Sequence, residues 1–145
     1  MEEDEYRSTY NTLTRIPCVF EKALTNHKAQ CDCSLHFCLA DREGYACKSD
    51  DSSEKCMKLL KILREKSRFA LKLSDQVDAL PHNMEIRVQA GGLQGLSKLP
   101  GVDNAQSIHA IIDQSLQQYG SFQNLPYSEI IQSITQYQGR LRRKR

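Results

Sequence analysis

Tryptophan is missing from this chain, and aromatic residues of all kinds make up only 7% of it. Any core must therefore be largely aliphatic. A hydrophobic content of 39% over 145 residues is enough for one domain of ordinary size and too little for two. No stretch approaches the roughly 18 apolar residues of a membrane span, so no membrane partner is expected. The opening MEEDEYRSTY has neither the basic nor the apolar region of a secretory signal, which gives the expectation of a cytoplasmic protein. An excess of one charge is absent too: 20 basic against 18 acidic residues leave +2, and nothing global marks a nucleic-acid binder. The charge is nevertheless unevenly placed, with Glu2 to Glu5 at one end and Arg140, Arg142, Arg143, Lys144 and Arg145 at the other.

Cysteine is absent before position 18 and after position 56, yet six fall between them: Cys18, Cys31, Cys33, Cys38, Cys47 and Cys56. In a reducing compartment, thiols gathered in this way usually hold a metal or do redox work, whereas disulfides need an oxidising one. Several motifs are missing as well. There is no C-x2-C zinc knuckle, no ferredoxin run and no thioredoxin-type pair. Gly91-Gly92 lacks the basic and hydroxyl residues of a phosphate-binding loop. His82 and His109 belong to no thiol-protease-like motif, so the chain does not read as an enzyme. His109, between Ile108 and Ala110, falls off the apolar stripe and is expected to face solvent.

The hydrophobic pattern that remains is helical almost throughout. The spacing predicts a helix capped by Thr14 with Pro17 in its first turn, and a shorter one from Ser34 towards Gly44. A long helix follows from Glu54 to about Leu73, with Leu59, Leu60 and Leu63 on its apolar face and Lys58, Lys61, Arg64, Glu65 and Arg68 opposite. Met84, Ile86 and Val88 alternate as in a strand, but Leu93, Leu96 and Leu99 favour a helix over 82–99. Gly91, Gly92 and Gly95 suit that helix only where another backbone packs closely against it. Ile108 to Tyr119, ended by Gly120, and a segment opened by Pro126 and striped with Ile130, Ile131 and Ile134 predict two more helices.

The expected fold is therefore all-α: a small single-domain helical bundle with a cysteine-ligated metal centre in its N-terminal half. Residues 1–12 read as a flexible acidic N-terminus, 13–139 as the helical domain and 140–145 as a basic tail. Within the domain, 13–73 is the Cys-rich half and 82–139 carries the C-terminal helices. Laid on that scaffold, Cys18, Cys33 and Cys56 fall at helix starts and Cys47 in a loop, where partial positive charge would favour thiolates. These four are the predicted ligands, with Cys31 as substitute for Cys33 and Cys38 as a spare thiol inside a helix. Dispersed single cysteines favour a 4Fe–4S cluster serving electron transfer, redox sensing or metallocentre assembly with a protein partner. The alternatives are a zinc-stabilised interaction module, with His27 and His36 near enough to assist, and a metal-free thiol-redox protein. The tail residues Arg140, Arg142, Arg143, Lys144 and Arg145 offer weak contacts to nucleic acid or an acidic partner, but no aromatics interleave to stack on bases.

Overall fold

The computed structural model describes residues 2–72, 80–102 and 106–137. Glu3, Asp4 and Glu5 place negative charge on the first turn of a helix, where the backbone dipole favours it, and α1 runs Glu3–Leu13. No residue of α1 is buried. It is tied down through Tyr10, whose hydroxyl donates to the Glu21 carboxylate at 2.7 Å and whose ring meets Phe37 edge-on at 5.9 Å. Thr14 ends α1, its N–H and hydroxyl both directed at the Tyr10 carbonyl. The helix expected to begin at Thr14 is thus replaced by a helix that stops there. Pro17 lies in a β-bridge to Ala46, and only the five-residue α2, Glu21–Thr25, follows, burying Ala23 and Leu24.

The larger correction to the all-α expectation comes next. Ser34–Leu39 (β1) and Arg42–Cys47 (β2) form an antiparallel hairpin, paired from Ser34↔Cys47 to Leu39↔Arg42. The two residues between them, Ala40 and Asp41, take φ of 50° and 65°, as a two-residue turn matched to strand twist requires. Such turns usually carry Asn-Gly, so neither residue announces one. The hairpin is held from outside as well, by Cys47 N–H donating to the Ile16 carbonyl at 2.9 Å.

From Asp50 the chain becomes helical, four residues ahead of the Glu54 start that its periodicity predicts. Ser49 caps α3, Asp50–Ala70, accepting from the Ser52 N–H, and the helix buries Leu59, Leu60 and Leu63. Helix α4 spans His82–Ser97, α5 spans Ile108–Tyr119 and α6 spans Tyr127–Gln136, with a single 3-10 turn at Phe122–Asn124. Gly120, at φ 86°, closes α5 in a conformation that side-chain-bearing residues seldom adopt. Helices α3 to α6 share one aliphatic core with Phe20 and Leu24, in which Leu96, Ile108, Ile130 and Ile134 are almost wholly enclosed. The result is a mixed α/β domain in which the helices make the core and the hairpin lies against α2 and the start of α3. No helix among the described residues is long and apolar enough to cross a membrane.

Candidate functional site

The hairpin and the turns around it decide where the sulfur atoms go. Cys18 sits between Pro17 and α2, Cys31 and Cys33 lead into β1, Cys47 ends β2, and Cys56 lies in the second turn of α3. These five line one cavity of about 20 Å³, room for about one water molecule, with Phe20, Ala46, Ser52, Ser53, Ile108 and His109. Cys38 points elsewhere: it lies in β1, exposed, rather than inside a helix. All six cysteines are free. Cys31, expected only as a substitute, lines the cavity beside the predicted ligands. Of the neighbouring thiols it repels ionisation of Cys18, Cys33 and Cys56 most.

Burial in this apolar setting is the first cause holding Cys18, Cys33 and Cys56 protonated. Cys18 and Cys56 are both pushed up from 9.0 to about 12, by burial first and then by the surrounding sulfur atoms, although the Phe20 N–H donates to Cys18 and works the other way. Cys33 is raised too, chiefly by burial, but a hydrogen bond with Ser52 and the charge of Lys48 act in the opposite direction. The Cys33 Sγ lies 4.0 Å from Ser52 Oγ. The Cys47 thiol donates to the Ser49 carbonyl at 3.2 Å.

These placements overturn the metal reading. Among the described residues, no group of three or more His, Cys, Asp or Glu side chains is placed to hold a metal ion. The Cys33 and Cys47 sulfur atoms are engaged with Ser52 Oγ and the Ser49 carbonyl. Cys18 lies ahead of α2 and Cys33 leads into a strand, Cys47 ends a strand in place of the expected loop, and Cys56 is a turn too deep in α3, so the converging helix starts that would have favoured thiolates are not there. The 4Fe–4S cluster, the zinc alternative and the electron-transfer, sensing, assembly and zinc-module functions built on them are corrected accordingly. His36 stands on β1 beside Glu43 and Tyr45, and His27 lines a separate cleft; neither reaches the thiols. No family model, curated protein or solved structure matches the chain.

One residue at the cavity has partners that the sequence did not announce. His109, expected to face solvent, is partly exposed, but its Nδ1 lies 3.2 Å from Ser52 Oγ and its Nε2 3.1 Å from the Asp113 carboxylate. Ser52 is buried in the first turn of α3, so the pair ties α3 to α5 across the edge of the cavity. The His109–Asp113 spacing of four on a predicted helix was visible in the sequence, but nothing local links either to Ser52. The basic tail, Arg140, Arg142, Arg143, Lys144 and Arg145, lies outside the described residues.

Proposed function

We propose that this protein carries out thiol–disulfide exchange with an oxidised partner, Cys33 attacking and Cys31 resolving. The observation that carries the reading is the gathering of five free thiols on one cavity with Cys31 foremost among them. Cys33 is a better nucleophile than Cys18 or Cys56, because a hydroxyl and an ammonium group partly offset the burial that raises it, whereas those two are pushed up to about 12. The turn at Cys31–Ser34, in which the Ser34 N–H and hydroxyl both donate to the Cys31 carbonyl, folds the C-x-C segment back on itself. A disulfide across a C-x-C pair closes a small, strained ring. It therefore exchanges readily and does not serve as a permanent staple.

The chemistry balances as a two-electron, two-proton exchange. The Cys33 thiolate attacks one sulfur of a partner disulfide, forming a mixed disulfide and releasing the partner's other sulfur as a thiolate. The Cys31 thiolate then attacks Cys33 Sγ, forming the Cys31–Cys33 bond and releasing the second partner sulfur. Two partner thiols are produced, and the protein's dithiol has become its disulfide.

The test is to expose the reduced protein to oxidised glutathione, quench with an alkylating reagent and map the peptides. A Cys31–Cys33 disulfide is expected, lost in Cys33→Ser and retained in Cys38→Ser. If the only modified sulfur is that of exposed Cys38, the exchange reading is wrong.

A further inference from the structure

Cys33 is half-buried and its ionisation is disfavoured by that burial, so an exchange protein needs a way of taking its proton. Cys33, Ser52, His109 and Asp113 stand in a continuous row: 4.0 Å from sulfur to hydroxyl, 3.2 Å from hydroxyl to Nδ1, and 3.1 Å from Nε2 to carboxylate. We infer that His109 receives the Cys33 proton through the Ser52 hydroxyl, with Asp113 orienting the ring. The inference deepens the thiol-exchange reading and rests on it.

The direction of each hydrogen bond follows from its neighbour. With Nε2–H directed at Asp113, Nδ1 is the ring's acceptor, and Ser52 donates its one hydroxyl proton to it. Ser52 Oγ is then left as an acceptor, and the Cys33 S–H donates to it. When the thiol ionises, the sulfur's proton passes to Ser52 Oγ while the Ser52 proton passes to Nδ1. The product is a Cys33 thiolate that accepts from Ser52, beside an imidazolium held between Ser52 and Asp113. No proton is gained or lost in this step, and the row of hydrogen bonds reverses its polarity. The His109 and Asp113 side chains are 36% and 35% exposed, so the imidazolium can pass its proton to water.

Other groups bear on the row. On its own helix His109 faces Asp113. From α3, Lys55 reaches Asp113 at 3.5 Å and is itself shared with Asp51 at 3.3 Å. Beyond Ser52 lie Cys31, Cys47 and Cys56 on the cavity wall, and Lys48 acts on Cys33. A purely structural role for the row, as a tie between α3 and α5, predicts that its loss loosens every thiol in the cavity together. A proton relay predicts a change confined to Cys33.

The experiment measures the alkylation rate of each cysteine by iodoacetamide against pH, resolved by peptide mass spectrometry, in the reduced full-length chain. His109→Gln is expected to move the Cys33 profile to higher pH, slowing it about tenfold at pH 7, the equivalent of about one pKa unit. Cys47, on the same wall but hydrogen-bonded to Ser49, serves as the internal control and is expected to keep its profile. Ser52→Ala should repeat the Cys33 loss, and Ser52→Thr, which retains the hydroxyl, should restore it. A Cys33 profile unchanged by both His109→Gln and Ser52→Ala overturns the relay, as does a parallel change in Cys33 and Cys47. The exchange reading fails separately: without a Cys31–Cys33 disulfide in the wild type it falls, even where the Cys33 profile moves as expected.

Discussion

Gln89 is 2% exposed on α4 and uses both ends of its amide. Its Oε1 accepts the Ala23 N–H at 3.0 Å, and its Nε2 donates to Glu85 at 3.0 Å and reaches the Val19 carbonyl at 3.5 Å. Glu85, 4% exposed, is in turn gripped by Arg64 Nε at 3.0 and 3.1 Å. The segment that follows Cys18 is thus fastened to α3 and α4 by one polar chain. Gln89→Leu keeps the side chain's bulk but leaves the Ala23 N–H without its acceptor, and it should destabilise the protein by about 1–3 kcal/mol in urea unfolding. A variant as stable as the wild type would show that water substitutes freely there. Little of this was legible beforehand. Arg64 reads from its periodicity as one of the solvated charges of a long helix, and a lone Gln among apolar residues gives no sign of being enclosed. Burial of a polar group depends on a partner distant in sequence, and neither propensity nor spacing reports that partner.

At the scale of elements, the sequence is most informative where a single helix decides the pattern. The long third helix, the Gly120 stop and the Pro126 start are all present, because capping and aliphatic spacing are local signals. The glycines of α4 were legible as well: they suit a helix only beneath a second backbone, and that backbone is α6. A Cβ on Gly91 would stand 2.9 Å from Ile134 Cα, and one on Gly95 would stand 3.0 Å from Ile130 Cα. Gly→Ala inside a helix ordinarily stabilises by about 0.5–1 kcal/mol. Here overpacking reverses the sign, and Gly91→Ala should lower stability by about 1–3 kcal/mol. A raised melting temperature in Gly91→Ala would mean that α4 and α6 do not meet backbone to backbone. The hairpin was illegible for a complementary reason. Leu35, Cys38 and Leu39 recur at helical steps, and the Ala40-Asp41 turn lacks the glycine that would mark it. That misreading set Cys33 at a helix start, Cys38 inside a helix and Cys47 in a loop, and so lent a false electrostatic reason to a metal first suggested by the crowding of cysteines.

For the whole molecule, the thiol cavity makes stability depend on pH, because folding buries Cys18 and Cys56 where the approach to α2, the hairpin, α3 and α5 meet. Cys18 and Cys56 ionise near 9.0 when solvated and only near 12 in the fold. Between those values the unfolded chain has lost protons that the native state still binds, so folding becomes less favourable as pH rises, while below 9 these thiols contribute no slope. Each should remove about 1.4 kcal/mol of stability per pH unit through that window. Burial also raises Tyr10 and Tyr127, but from 10.0, so the interval between pH 9 and 10 belongs chiefly to sulfur. Denaturant unfolding in the presence of a phosphine reductant should therefore be level from pH 7 to 8 and fall from 9 to 10. Cys18→Ala combined with Cys56→Ala should flatten that fall while leaving the decline above pH 10. If the wild type keeps its stability to pH 10, the two thiols are ionising in the folded state at their ordinary values. The cavity would then be wet, and Cys33 would have no advantage over its neighbours.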